Sequence, residues 1–108
     1  MVKQGDIIKI DLNPGTGHEQ SGYRPAVVIS NNFFNKKTNM TICCPITNTL
    51  RKFPLHVPLD NRTNTTGCIL CEHIKSLDLS ARKYHVVETL PDDLLEKVID
   101  IVFSEVEI

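Results

Sequence analysis

The sequence lacks any long apolar run, and its N-terminus is polar. No stretch approaches the roughly 18 consecutive apolar residues that a membrane span needs. Residues 1–5 also lack the apolar core of a signal peptide, so we expect a cytoplasmic protein without membrane contacts. Internal repeats and low-complexity tracts are missing too. A chain of 108 residues with 41% hydrophobic content predicts one domain over 1–108.

A strong charge of either sign is also missing. The net charge is −1, which argues against nucleic-acid binding through bulk positive charge. The average hides a split, because residues 1–90 carry 11 Lys and Arg against 7 Asp and Glu, whereas residues 91–108 carry one Lys against six acids. The charge split therefore does not exclude a local anion-binding surface on the first part of the chain.

The sequence has only four cysteines, which are expected to be reduced thiols in a cytoplasmic protein. Cys68 and Cys71 have the spacing of a zinc-binding pair, and Cys43 and Cys44 are available as a second pair. If these segments are strands, the members of each pair point to opposite faces, and neither pair has the glycine of a zinc knuckle. Buried thiols are therefore favoured over structural zinc.

Short β-type segments dominate the first 90 residues. The apolar pattern and the β-branched content predict strands at 6–12, 26–30, 40–47, 54–59, 68–74 and 84–88. A short helical turn is expected at 32–37. The expected fold class is mainly β with a C-terminal helix, arranged as a small barrel.

The C-terminal helix is predicted to begin at Pro91, whose fixed φ suits a first helical residue. Asp92 and Asp93 then lie at the positive end of the helix dipole. The face predicted to pack on the barrel contains Leu94, Leu95, Val98, Ile99, Val102 and Phe103.

The most informative segment is a polar loop at 13–25. It contains three glycines and is longer than the roughly two to five residues of an ordinary hairpin connection. Glu19 and Arg24 lie close together in it, and Pro25 favours an extended conformation at Arg24. A carboxylate near a permanent cation suits phosphate chemistry.

The four histidines form a rival set of catalytic candidates. Two imidazoles acting as acid and base can cleave RNA without a metal. His18 is the best candidate, because it adjoins Glu19. The others are His56, His73 and His85.

Four motifs follow one another along nearly the whole chain. They are Gly5-Asp6-Ile7, the run from Gly17 to Ser30 with its Glu-Gln-x-Gly-x-Arg-Pro core, Pro45-Ile46-Thr47, and Gly67 to Ile74 followed by Lys75-Ser76-Leu77-Asp78. This set resembles the MazF/PemK family of toxins from bacterial toxin–antitoxin modules. The resemblance implies an SH3-like barrel, a homodimer, and a sequence-specific endoribonuclease that cuts single-stranded mRNA until a cognate antitoxin binds. It implies neither a metal nor another cofactor.

Carried over residue by residue, the resemblance places catalysis at Glu19, Arg24 and Thr47. Arg24 stabilises the phosphate in the transition state, Thr47 adds a hydroxyl donor, and Glu19 can act as the base. The donor of the proton to the leaving oxygen is either His18 or water. Contacts with RNA are expected at His18, Gln20, Ser21, Tyr23, Asn48, His73, Lys75 and Ser76. Both His18 and His73 depart from the residues more common in the family.

Two other functions stay open. A toxin of the same barrel type, related to CcdB, acts on a protein target such as DNA gyrase through its C-terminal end. An inactive barrel that only contacts other proteins is the second. The intact Arg-Pro loop favours the nuclease, whose antitoxin is expected to offer an acidic, extended segment to the basic surface around Arg24.

Overall fold

The structure is a computed structural model that describes residues 1–13, 17, 22–49 and 53–108. No helix within these ranges is long and apolar enough to cross a membrane. The strands are β1 (Asp6–Asp11), β2 (Tyr23–Val28), β3 (Met40–Thr47), β4 (His56–Pro58), β5 (Cys68–Leu70), β6 (Lys75–Asp78) and β7 (Tyr84–Thr89). The helices are α1 (Asn32–Thr38) and α2 (Asp92–Val106), and two 3₁₀ turns cover Cys71–His73 and Leu79–Ala81. The predicted fold class, mainly β with a C-terminal helix, is confirmed.

Strand β3 joins the two parts of the sheet. The strand order is β4-β5-β3-β2-β1-β7, with β6 also paired to β3, and the pairings are antiparallel. Cys43, in the middle of β3, lies between Val28 of β2 and Lys75 of β6. The end of the same strand pairs with β5, with Thr47 opposite Cys68. Strand β3 thus pairs with β2 and β6 along its first part and with β5 at its end.

Alternation along β1 and β2 supplies two apolar clusters, one on each face of the sheet. Ile7 and Val27 belong to the larger cluster, whereas Ile8 and Val28 belong to the smaller one. All four side chains have no exposed surface, and each buried side chain of this size contributes about 1.5–3 kcal/mol. Because apolar side chains are buried on both faces of these strands, burial specifies the register in which they pair.

Helix α2 covers the larger cluster with one face. Leu94 and Val98 are buried in that cluster. The helix begins at Asp92, so the predicted first helical residue, Pro91, is instead the N-cap residue with an extended ψ of 141°. The prediction that Phe103 faces the barrel is wrong, because its side chain is 64% exposed. Phe103 follows Val98 by five residues, a rotation of about 140° that turns it away from the buried stripe.

Helix α1 confirms the helical turn expected at 32–37. The Asn31 side chain accepts a hydrogen bond of 2.8 Å from the Phe34 backbone N–H and caps the first turn. Asn39 ends the helix with a left-handed φ of 56°, a conformation that asparagine tolerates better than most residues.

Among the strand boundaries that differ from the predictions, two affect the candidate site residues. Strand β2 begins at Tyr23, three residues before the predicted start, so Arg24 and Pro25 belong to the sheet and not to the loop. The strand predicted at 68–74 is wrong beyond Leu70, where a 3₁₀ turn interrupts the chain. The interruption is needed because β5 and β6 both pair with β3 but at different ends of it.

The cysteines are free thiols, as expected. Cys43 lies in the smaller cluster and Cys44 in the larger one, so the predicted opposite orientation is confirmed. Burial raises the pKa of the Cys43 thiol to about 12, and a hydrogen bond with Cys71 together with burial raises the pKa of the Cys44 thiol. Cys68 alone among the four is partly exposed. Among the described residues, no group of three or more metal-ligating side chains is placed to hold an ion.

Candidate functional site

Arg24 and Thr47 occupy matching positions on neighbouring strands. The β2–β3 ladder ends at the pair formed by Ala26 and Pro45. Arg24 and Thr47 each lie two residues beyond this pair on their own strands, so alternation places both side chains on the face that carries Ala26. One face at this end of the sheet therefore carries both a guanidinium and a hydroxyl.

The two residues differ in their exposure. Arg24 is exposed, whereas Thr47 retains only 8% of its surface. The Thr47 Oγ1 accepts a hydrogen bond of 3.2 Å from the Thr49 backbone N–H. Since this bond uses a lone pair of the oxygen, the hydroxyl proton remains available for donation to another group. The local turn thus fixes the oxygen and leaves its donor function intact.

Gly67 lies against the backbone of Thr47. A Cβ atom at this position would stand 2.3 Å from the Thr47 carbonyl oxygen and 2.7 Å from its carbonyl carbon. The φ of Gly67 is +114°, a conformation that residues with a side chain rarely adopt. Beside it, Thr66 Oγ1 donates to Asn48 Oδ1 at 2.9 Å. The chain at 66–67 therefore supports the end of β3 directly.

The 60–67 loop, which carries Gly67, is held at both of its sides. Arg62 donates to both carboxylate oxygens of Asp93 on α2, at 2.8 and 3.0 Å. Arg62 also binds Asp60 within the loop, and these bonds hold the pKa of both carboxyl groups below their usual range. All three side chains are 44–64% exposed, so the charge attraction between them is worth little and the bonds mainly set geometry.

Glu88 on β7 fastens the other side of the 60–67 loop. Its carboxylate accepts hydrogen bonds from Asn64 N at 3.1 Å, Thr65 N at 2.8 Å and Thr65 Oγ1 at 2.7 Å. Burial raises the pKa of Glu88, but the hydrogen bonds from Thr65 and Asn64 outweigh burial and hold the pKa below its ordinary value. The ionised carboxylate is thus the form that holds the loop.

The predicted residues of the polar loop mostly lie outside the described residues. These are His18, Glu19, Gln20 and Ser21. The base of the loop is described: the Gly22 N–H donates to Asn13 Oδ1 at 2.9 Å, and Arg82 Nη1 donates to the Asn13 carbonyl at 2.8 Å. Arg82 also binds the Asp11 carbonyl at 2.7 Å. The base of the loop is therefore held by a bond between its two ends, Asn13 and Gly22, and by Arg82 from a distant part of the chain.

Tyr23 and Asn48, two of the predicted RNA contacts, lie beside the catalytic candidates. Tyr23 precedes Arg24 on β2, is 46% exposed, and bonds through its hydroxyl to His85 Nδ1 at 2.7 Å. Asn48 follows Thr47 and is exposed. Both therefore share one end of the sheet with Arg24 and Thr47.

The other three predicted contacts lie along β6 and the turn before it. Lys75 is opposite Cys43, on the same face as Thr47 but four residues back along β3, which corresponds to roughly 13 Å. Ser76 is opposite Ile42 and faces the other way. His73 is partly buried, with Nε2 at 3.8 Å from Glu72 Oε2. Of these three, the register brings only Lys75 to the face of Arg24 and Thr47.

The histidines are divided between two places. His56 Nε2 lies 2.9 Å from Glu72 Oε2, the same carboxylate oxygen that His73 approaches. His85 lies on β7, at the opposite end of the strand order from β4, and its Nδ1 bonds to the Tyr23 hydroxyl. Of the three histidines that the structure describes, His56 and His73 both approach Glu72, whereas His18 lies outside the described residues.

Sequence reasoning missed three residues that shape the site: Gly67, Glu88 and Arg82. Gly67 ends a polar turn, which was a visible sign of a special backbone conformation. Glu88 and Arg82 act on segments 23 and 71 residues away, respectively. Their roles depend on the tertiary structure and left no local pattern in the sequence.

The fold is that of solved toxin structures. The chain superposes on MazF from Deinococcus radiodurans with a TM-score of 0.90 and 31% identity, covering 96% of this chain and 94% of that one. A MazE–MazF complex from the same organism gives a TM-score of 0.84 at 25% identity, covering 99% and 96%. Fold and site together define a small β-barrel protein of the MazF type.

Sequence comparison identifies the family. A model described as the PemK-like, MazF-like toxin of type II toxin–antitoxin systems matches residues 3–102. The endoribonuclease toxin MazF of Escherichia coli K12 is 40% identical over 78 residues, which cover 72% of this chain and 69% of that protein. The endoribonuclease EndoA of Bacillus subtilis is 34% identical over 103 residues, covering 91% and 88%. The chain belongs to the PemK-like, MazF-like toxin family, and the resemblance seen in its motifs is confirmed.

Proposed function

We propose that this protein is a metal-independent, sequence-specific endoribonuclease that cuts single-stranded mRNA. The placement of Arg24 and Thr47 on one face of the sheet, each two residues beyond the last β2–β3 pair, carries the proposal. An exposed guanidinium beside a fixed hydroxyl offers N–H and O–H donors to a single phosphate. The relatives that are named endoribonucleases add support.

In the proposed reaction, the ribose 2′-oxygen attacks the adjacent phosphorus. The bond from phosphorus to the 5′-oxygen breaks, which leaves a 2′,3′-cyclic phosphate on one product and a 5′-hydroxyl on the other. Glu19 takes the proton of the 2′-hydroxyl, and the departing oxygen receives a proton from His18 or water. Both side chains lie outside the described residues, so these two roles rest on the sequence motif.

Arg24 and Thr47 act on the charge that develops in this step. The guanidinium, with a pKa above about 12, is a poor proton donor at neutral pH and serves as an electrostatic clamp on the phosphate oxygens. Thr47 donates its hydroxyl proton to one of the same oxygens. Because Thr49 and Gly67 fix Thr47, this donor needs little rearrangement when the charge appears.

The partners follow from the same assignment. We propose that the protein acts in the cytoplasm as a homodimer and that a cognate antitoxin inhibits it. Solved complexes of MazE with MazF support an antitoxin partner. An acidic antitoxin segment would compete with RNA for the basic surface around Arg24 and Lys75.

Cleavage of a long RNA in the presence of EDTA tests the proposal. Purified protein should cut at a few defined sequences, and end-group analysis should find the cyclic phosphate and the 5′-hydroxyl. Arg24→Ala, analysed in parallel, should be folded and inactive. Loss of all cutting in EDTA, or inhibition of DNA gyrase without any RNA cleavage, would contradict the proposed function.

A further inference from the structure

A polar groove lies next to the candidate site and has no part in the proposed cleavage step. Its volume is about 370 Å³, and it runs between the 60–67 loop and strands β1, β2 and β7. Residues that line it include Lys9, Pro25, Asn48, Asn64, Thr66 and Val87. Small-molecule sites usually measure about 300–1,000 Å³, so the groove suits a ligand group at the small end of that range.

The groove and the candidate site use consecutive residues. Pro25 follows Arg24 on β2, and Asn48 follows Thr47 at the end of β3. Since consecutive strand residues point to opposite faces, the groove opens on the face opposite Arg24 at the same end of the sheet. A polymer bound at Arg24 and Thr47 can therefore continue over Asn48 into the groove.

Several polar groups in the groove have unused bonding capacity. Within the described ranges, the Lys9 ammonium makes no ion pair, and the side-chain amide of Asn64 makes no hydrogen bond. Asn48 Oδ1 accepts from Thr66, whereas the Asn48 Nδ2 group has no partner in the same part of the chain. A ligand that carries a negative charge and hydrogen-bonding edges fits this set.

The charge of the groove favours an anion. None of its described lining residues is acidic. Glu88, which follows Val87 in the chain, is committed to three hydrogen bonds from Asn64 and Thr65. These bonds also hold the wall of the groove in place, which lowers the ordering cost of binding.

We propose that the groove binds the RNA nucleotide beside the cleaved bond, on one side of it only. Lys9 contacts the phosphate of that nucleotide, Asn48 and Asn64 bind the edge of its base, and Pro25 and Val87 contact the apolar faces. This inference rests on the proposed endoribonuclease function. It assigns part of the sequence preference to residues outside the catalytic motif.

A length series of RNA substrates tests the proposal. RNAs with one cut site are extended one nucleotide at a time, separately on either side of the cleaved bond, and kcat/KM is measured for each. Wild-type kcat/KM should rise when the extension reaches the groove. Lys9→Gln and Asn64→Ala should each make the rise in kcat/KM about tenfold smaller. Lys9→Gln should also reduce the slope of log(kcat/KM) against log salt concentration by about 0.7.

Lys97→Gln is the matched control, because it removes one positive charge from the exposed surface of α2. It should leave the length series unchanged. A rise that is the same in Lys9→Gln and Asn64→Ala as in wild type, or no rise on either side, would overturn the groove assignment while leaving cleavage intact. Wild-type protein that cuts none of the RNAs would overturn the proposed function itself.

Discussion

Gly67 and Thr47 are in direct backbone contact, and the contact leaves no room for a side chain. A Cβ on Gly67 would lie 2.3 Å from the Thr47 carbonyl oxygen. Thr47 is one of the two described residues proposed to contact the phosphate. The turn that ends at Gly67 therefore packs against the residue whose hydroxyl is proposed to contact the phosphate.

Gly67→Ala should lower kcat strongly, although a fraction of the molecules should still fold. The added methyl must displace either Thr47 or the 60–67 loop, because the atoms it meets are backbone. A displacement of about 1 Å at a positioned group costs on the order of 100-fold in rate. The measurement is kcat on a saturating RNA substrate, corrected for the folded fraction.

Gly5→Ala is the control for backbone strain alone. Gly5 also has a positive φ, +92°, but a Cβ there meets only the Leu95 side chain at 3.2 Å. This variant should lose stability and retain kcat in its folded fraction. If Gly67→Ala and Gly5→Ala show the same kcat, the contact with Thr47 does not position the hydroxyl.

Thr47→Val should lower kcat by about 10²–10³, the usual cost of removing one donor to a developing negative charge. Valine has nearly the shape of threonine but lacks the hydroxyl that accepts from Thr49 N and that we propose donates to the phosphate. Thr47→Ser keeps the hydroxyl and should retain most of the activity. Single-turnover cleavage rates of the three proteins decide the matter, and a wild-type rate in Thr47→Val would exclude the proposed donor.

Arg24→Lys should reduce kcat by about 10- to 100-fold, with a smaller change in KM. Lysine keeps the charge but loses the planar fork that binds two phosphate oxygens together. Urea unfolding of the variant, measured in parallel, separates a loss of catalysis from a loss of stability. A lysine variant with the full wild-type kcat would show that charge alone is required.

Glu88→Gln should lower the free energy of unfolding by about 1 kcal/mol at pH 7, because glutamine cannot accept all three hydrogen bonds of the loop. The folded-state pKa of Glu88 is held below its ordinary value of 4.5, so its contribution is present above pH 4.5 and is lost as pH falls through the lower value. Urea unfolding at several pH values should show the difference between the two proteins shrinking in acid.

Glu96→Gln provides the control for this pH dependence. The Glu96 side chain is exposed on α2 and makes no hydrogen bond with any other residue that the structure describes. It should therefore show a smaller stability change than Glu88→Gln at pH 7. A constant difference between wild type and Glu88→Gln at all pH values would mean that the ionised carboxylate does not hold the loop.

Local sequence patterns predicted most strands and the C-terminal helix, because each of these elements carries its own periodicity. The strand expected at 40–47 matches β3 residue for residue. Phe103 was misplaced because the apolar residues of α2 extend past the stripe that the barrel covers. Apolar character alone does not distinguish a packed side chain from an exposed one.

The site was only partly predictable. Arg24 and Thr47 were proposed from motifs, and strand alternation places them on the same face of the sheet although they are 23 positions apart in sequence. The contacts of Gly67 and Glu88 depend on how the 60–67 loop meets β3 and β7, which no local pattern encodes. Glu19 lies outside the described residues, so its role stays a prediction.

A single 2′-deoxy substitution at a mapped cut site tests the central claim most directly. The proposed reaction requires the 2′-oxygen as the nucleophile, so replacing that hydroxyl with hydrogen should abolish cutting at this bond and leave other sites in the same RNA unaffected. Cleavage of the substituted bond at the unmodified rate would contradict the account.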